Sequence, residues 1–431
     1  MIDPQAKLWP YVKLLALAVL LGVITAVITF AFIVLVHLGT QLLWEQAAPA
    51  SGLPAPLLIL GICTIGGLLV GLLVRGFGDH NGIFADVLKE FGSTGRFDYR
   101  NAPGIVITAL VSLISGGSIG PEAPLADACG GLGTLVSDRL KLDPHETRTL
   151  SYSGLSGMLG AFITSPIGGP LLALEGAQGG VAGLTIYFWV LFPSLVASAV
   201  AVVSFVALSG SFFGTLYVFP LYVPRLIDLL LAVPLGLIGG SVGVIFFVVL
   251  RGLQKVMQPL KKHLVVRGLI GGVGLGSVAA FLPLVLFSGE DQTAELIHNA
   301  AEIGAVMLIV LALAKLLVTC FILAAGWKGG YLFPILFVGV ALGLATHLLF
   351  PAIPVAVAVA ATLGGAVVGT LRSPLFAIMF TLVLVQIETA PVVAIAVVTG
   401  ALLIAMLALV TNRRAQAQAS EQPEGEIQAV V

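Results

Sequence analysis

Residues 115–126 read SGGSIGPEAPLA, and the acid among them, Glu122, decides how the chain is read. A carboxylate inside an apolar membrane segment costs roughly 3 kcal/mol or more, so it marks a functional site by default. Gly116, Gly117 and Gly120 interrupt any helix, while Pro121 suits the first position of a new one. Glu122 is therefore expected at a helix start, where unpaired amides and the macrodipole attract negative charge. An acidic side chain parked in an anion site reads as a gate.

Working outward, composition fixes the class. Of 431 residues, 58% are hydrophobic and 10% charged, with a mean hydropathy of +1.11, which no soluble globular chain shows. The chain reads as an all-α polytopic membrane protein. Twenty Lys and Arg nearly balance 21 Asp and Glu, so nothing points to nucleic acid. Cys63, Cys129 and Cys320 lie in apolar segments without CxxC spacing, and neither a disulfide framework, a metal site nor a cofactor is expected. The apolar run 12–38 is longer than a signal-peptide core and reads as a tilted spanning helix.

Residues 57–74, 184–208, 227–250, 269–287, 306–324 and 392–410 are also long enough to cross a bilayer core of about 30 Å. Between them lie shorter apolar pieces, 105–114, 155–163, 171–174, 335–344 and 375–384, each flanked by Gly or Pro. Half-helices at membrane depth need protein or a polar cavity around them, which favours a channel or transporter. Residues 251–267 carry five basic side chains and no acid, so this loop and both termini are assigned to the cytoplasm. The acidic stretch 289–299 is assigned to the outer face. Residues 412–431 read as a disordered cytoplasmic tail.

An internal repeat is also visible. GGSIGP at 116–121 and GGYLFP at 329–334 share GGxxxP at an offset of 213, and the segments beginning at Ser165 and Ser373 share Ser-Pro at an offset of 208. The division expected is 1–255 for the first membrane repeat and 256–411 for the second. Paired halves in inverted topology would aim two positive helix ends at one point near the membrane midplane.

At these residues the chain resembles the CLC family of chloride channels and chloride/proton exchangers. Gly120-Pro121-Glu122-Ala123-Pro124 resembles the family's glutamate-bearing motif, and Gly330-Tyr331-Leu332-Phe333-Pro334 its second-half motif. The resemblance covers about residues 10–411. It implies an inverted-repeat fold of tilted and broken helices, and a bacterial-type member of the inner membrane without regulatory C-terminal domains. It also implies a homodimer with one pore per subunit. Glu122 would be the gate. The anion would be held around Gly120, Pro121, Glu122 and Ala123, around Gly330, Tyr331, Leu332 and Phe333, and by Asn81, Gly82 and Ile83.

The departures bear on mechanism. Asn81 stands where the family has a serine donor; its amide can still donate to an anion. Pro121 removes a backbone donor and a common positive charge from the outer mouth. Tyr331 is the last tyrosine, so the family's inner tyrosine is missing, and the central site is expected to be more open inward or closed by another group. Gly176 occupies the place of the exchangers' inner glutamate. Either Glu175 relays protons, or water does, or coupling is absent. Chloride is the default ion; a fluoride/proton antiporter is the alternative, because Asn81 is a departure that fluoride-selective members share.

Simpler readings stand beside these. Glu122 would serve as a buried helix cap, Glu175 as a structural acid, and Asn81 as a turn residue. Lys315 and Arg372 would snorkel to an interface. Gly154-Leu155-Ser156-Gly157 resembles an intramembrane serine protease motif, but no histidine lies between His145 and His263, so the protease remains a remote alternative.

Overall fold

The computed structural model describes residues 8–50, 52–80, 84–176, 187–210, 217 and 219–420. In the first half the helices are α1 (Leu8–Thr40), α2 (Ala55–Phe77), α3 (Phe84–Thr94), α4 (Ala102–Ile114), α5 (Glu122–Leu140), α6 (Pro144–Ile163), α7 (Gly168–Gly176) and α8 (Phe192–Ser209). The second half follows with α9 (Leu226–Met257), α10 (Leu264–Ala279), α11 (Glu290–Ile303), α12 (Ala305–Ala324), α13 (Leu332–Leu349), α14 (Val355–Leu371), α15 (Pro374–Leu384) and α16 (Ala390–Ser420). Among the described residues seven stretches are long and apolar enough to cross a membrane, and this is an integral membrane protein.

Among the described helices the packing repeats with a period of eight. In the first half α1 packs on α4, α5, α6 and α8; in the second, α9 packs on α12, α13, α14 and α16. The pairs α2·α4, α3·α5, α5·α6 and α6·α7 recur as α10·α12, α11·α13, α13·α14 and α14·α15. Across the halves, α2 meets α10 and α7 meets α15, each helix touching its own counterpart. The α2–α10 contact is close because Gly67 lies against the backbone of Gly268 and Gly272.

Several expectations shift. The divide drawn at 255/256 cuts α9 just before its end, and the packing assigns this helix to the second half. The short piece 155–163 is the end of a 20-residue helix, α6, opened by a capping box in which Asp143 and Glu146 bond each other's amides. Gly154, which flanks that piece, lies inside the helix against the Cys129 backbone. The acidic stretch 289–299 forms most of α11 rather than a loop. Helix α16 continues to Ser420, so residues 412–420 are helical rather than disordered, as their Ala, Gln and Arg content allows. Arg267, counted with the basic loop, is buried at 5% exposure in α10.

Candidate functional site

The two interrupted helices meet at their breaks. Helix α4 ends at Ile114 and Gly116 turns the chain at φ +87°; α12 ends at Ala324 and Gly326 turns it at φ +90°. In both, the amides of the turn close back on the helix in the same pattern, Gly116 to Leu113 and Gly117 to Ser112, Gly326 to Leu323 and Trp327 to Ile322. Each chain then runs extended for a few residues before α5 or α13 begins. There Gly120 and Gly330 pair antiparallel, each donating its N–H to the other's carbonyl at 2.9 and 2.6 Å. Glu122 and Leu332 are the first residues of the two new helices.

This geometry corrects the register of the repeat. Glu122 corresponds to Leu332, an offset of 210, and Pro124 to Pro334. The GGxxxP match at 213 had aligned Gly116, at the turn, with Gly329, three residues after it. The Ser-Pro pair holds its 208 offset: Thr164 and Arg372, the residues before Ser165 and Ser373, both adopt left-handed conformations at helix ends.

Glu122 is fully buried, and its side chain lies in the convergence of the two helix starts. Oε1 accepts the Leu332 N–H at 2.6 Å, and Oε2 has no hydrogen-bond partner. A Cβ at Gly120 or Gly330 would overlap this carboxylate, so the acid requires bare backbone on both sides. Two positive helix ends offset part of the cost of burying the charge.

The other expected residues divide. The amides of Gly120 and Gly330 are spent on each other, and Pro121 has none, so these three shape the site without donating to it. The Leu332 amide reaches the carboxylate; Ala123 and Phe333 are fully buried beside it in the first turns of α5 and α13. Asn81, Gly82 and Ile83 lie outside the described residues. The connector just before them is anchored firmly: Asp79 takes Arg267 Nη2 at 2.6 Å and Lys328 Nζ at 3.0 Å, and Lys328 also donates to the His80 carbonyl. Burial pushes the Asp79 carboxyl up, but Lys328 and Arg267 outweigh it and hold the group below its usual range.

Tyr331 turns its ring onto Phe246 and Phe247, and its buried hydroxyl lacks a partner. It lines a cavity of about 490 Å³ together with Tyr152, Glu175 and Arg372. An aromatic residue of the second break therefore lines this cavity. Glu175 accepts the Leu375 and Phe376 amides at 2.7 and 3.1 Å, so both of its oxygens cap α15. Lys315, instead of snorkelling, is fully buried and donates to the carbonyls of Val285, Leu286 and Phe287, and the Phe287 amide in turn holds the Gly116 carbonyl. A second cavity, of about 420 Å³, is lined by Pro121 with His37, Glu45, Glu290 and Asp291. Its mouth is acidic.

A membrane protein built from two like-packed halves, whose broken helices point their starts at one buried acid, is organised to handle a small anion. The comparisons agree. Residues 66–405 match the family described as voltage gated chloride channel, and the chain belongs to this CLC family of transporters and channels. Its relatives include a "Putative ion-transport protein YfeO" of Escherichia coli O9:H4 (strain HS), 27% identical over 430 residues and covering 97% of this chain and 99% of the relative. The same-named protein of Escherichia coli (strain K12 / DH10B) is 28% identical over 417 residues, 94% and 96% of the two chains. Among solved structures, a slow cyanobacterial Cl–/H+ antiporter superposes with TM-score 0.81 at 20% identity, covering 95% of this chain and 99% of that one. A CLC-type fluoride/proton antiporter gives 0.76 at 18% identity, covering 92% and 96%. At those identities the likeness is one of fold. Family membership also removes the protease alternative, since CLC proteins are not enzymes; Ser156 is buried within α6 where Gly169 packs on its backbone.

Proposed function

We propose that this protein exchanges chloride for protons, with the Glu122 carboxylate competing with the anion for the convergence of the two helix starts. One observation carries the reading: the carboxylate already occupies an amide-lined pocket between the halves, bonded to Leu332 N–H through Oε1, with Oε2 unpartnered. In the ionised state it fills the place of an anion. A proton on Oε2 would cancel its charge and weaken its hold on the amide, leaving that amide to chloride. The Tyr331 hydroxyl would meet the anion on the inner side, and Asn81 would add an amide donor.

The proposal includes a homodimer with one pore per subunit, inverted halves meeting between α8 and α9, and the face bearing Arg251 and Lys255 turned to the cytoplasm with both termini. Fluoride is the second reading, favoured by Asn81, which stands where the family has a serine donor. Flux from liposomes under chloride or fluoride gradients, with external pH recorded, tests both. Chloride-driven proton uptake is expected; proton uptake driven by fluoride alone transfers the reading to the second ion. Anion flux with no proton movement would refute exchange.

A further inference from the structure

Lys315 lies midway along α12, fully buried, and among the described residues no carboxylate pairs with it. An ammonium so placed is costly, and a methionine of similar volume would fill the space without burying a charge. Its three hydrogens go instead to three successive carbonyls, Val285 at 3.1 Å, Leu286 at 3.0 Å and Phe287 at 2.8 Å. The connector that carries them, between α10 and α11, bends sharply around the ammonium. Phe287 adopts φ +58° and Gly289 φ +105°, and a Cβ at Gly289 would come within 3.3 Å of Lys315 Cε. A bulky residue in the left-handed region is strained, and it stays there only where its surroundings hold it.

The connector in turn grips the first break. Phe287 N–H donates to the Gly116 carbonyl at 3.0 Å, and its ring meets that of Trp44 edge-on at 5.2 Å. Trp44 Nε1 donates to the Ile114 carbonyl at 2.8 Å, so the end of α4 is held from both sides. One turn on from Lys315, the Thr319 hydroxyl donates to the Ser118 carbonyl at 2.8 Å. α12 therefore reaches the first break twice from one face, directly at Ser118 and through the connector at Gly116. Lys315 also stands 5.2 Å from the ring of Phe337 in α13, the helix whose Leu332 amide Glu122 takes. At the repeat's offset of 210, the places of Lys315 and Thr319 fall on Ile105 and Ala109, whose side chains have no donor to offer. The grip runs from the second half to the first.

We propose that Lys315 is a positioning residue for anion transport. By pinning the left-handed connector at Phe287, it holds the first break, and with it Glu122, in line with the helix start of the second half. It acts through the connector rather than by meeting the anion. A carboxylate that must reach one amide at 2.6 Å tolerates little drift of the break that carries it. The inference rests on Glu122 competing with the anion for that amide.

The test uses the full-length protein, with chloride turnover in liposomes expressed per folded molecule. Lys315→Met should lower turnover about tenfold or more, the scale of loss from slight misplacement at a distance. Hydrogen exchange at the Phe287 amide should quicken in the same variant. Phe287→Gly removes the left-handed penalty, worth about tenfold in population, so in that background Lys315→Met should cost much less turnover. A lysine that served stability alone would change the yield of folded protein and leave its turnover unmoved. Unchanged turnover in Lys315→Met, or equal fold losses in the two backgrounds, overturns the proposal. If Lys315→Met cannot be recovered folded, Lys315→Met with Phe287→Gly decides: it should fold and transport, and its failure to fold contradicts the pinning role. A wild type that moves neither chloride nor fluoride strikes the transport reading. Amide exchange then judges the clamp, faster exchange in Lys315→Met supporting it and unchanged exchange refuting it.

Discussion

The break before α5 and the break before α13 share one backbone and differ in what hangs from it. Each has a positive-φ glycine, the same turn bonds, one extended glycine paired with its counterpart, and a helix beginning two residues later. At the first helical position one half carries an acid and the other a leucine whose amide the acid takes. Four residues earlier the contrast reverses. Ser118 bonds Thr319 through neutral hydroxyls, while its counterpart Lys328 joins the ionic cluster with Asp79 and Arg267. Duplicated backbone supplies the shape of the site, and divergence of a few side chains makes one break the occupant and the other the host.

The contrast is broken most severely at its ionic end. Asp79→Ala would leave Lys328 and Arg267 buried without their shared carboxylate and should cost about 3 kcal/mol in detergent-solubilised unfolding. Because the folded state lowers the Asp79 pKa, its contribution is fully present above the unfolded-state value and disappears as pH falls through the lowered one. Wild type should therefore lose stability on acidification in a way that Asp79→Ala does not.

Next come the paired glycines. Gly120→Ala and Gly330→Ala should each cost about 2 kcal/mol by overpacking, and a double-mutant cycle with Glu122→Ala should recover much of it, since the added methyl meets the carboxylate. Additive effects would mean that the acid lies elsewhere. Thr319→Val removes the neutral tie between the halves and should cost about 1 kcal/mol, with no change in the acid sensitivity set by Asp79. Smallest is Tyr331→Phe. It removes a hydroxyl with no partner and should change stability by less than about 0.5 kcal/mol. Its effect should instead show in the ranking of chloride, nitrate and fluoride fluxes.

Much of this was legible in the sequence because the signals are local. Gly, Pro and Glu within eight residues specify a break, a helix start and a charge at that start, and all three are found at 116–122. The register was misread because GGxxxP counts letters on either side of a turn; the turn bonds, which place Gly116 opposite Gly326, have no sequence signature. Counting only the apolar run after Gly154 left out the polar first half of the helix, which shortened α6. Asp79, Arg267 and Lys328 are far apart in sequence and meet only after α2 and α10 pack together.

The central claim is that a carboxylate from one half stands in for the anion at the other half's helix start. Chloride flux from liposomes, measured across the acid-to-neutral range for wild type and Glu122→Gln, tests it most directly. The account predicts that the neutral amide abolishes the pH dependence that the wild type shows. A Glu122→Gln protein with the wild type's pH profile would contradict it.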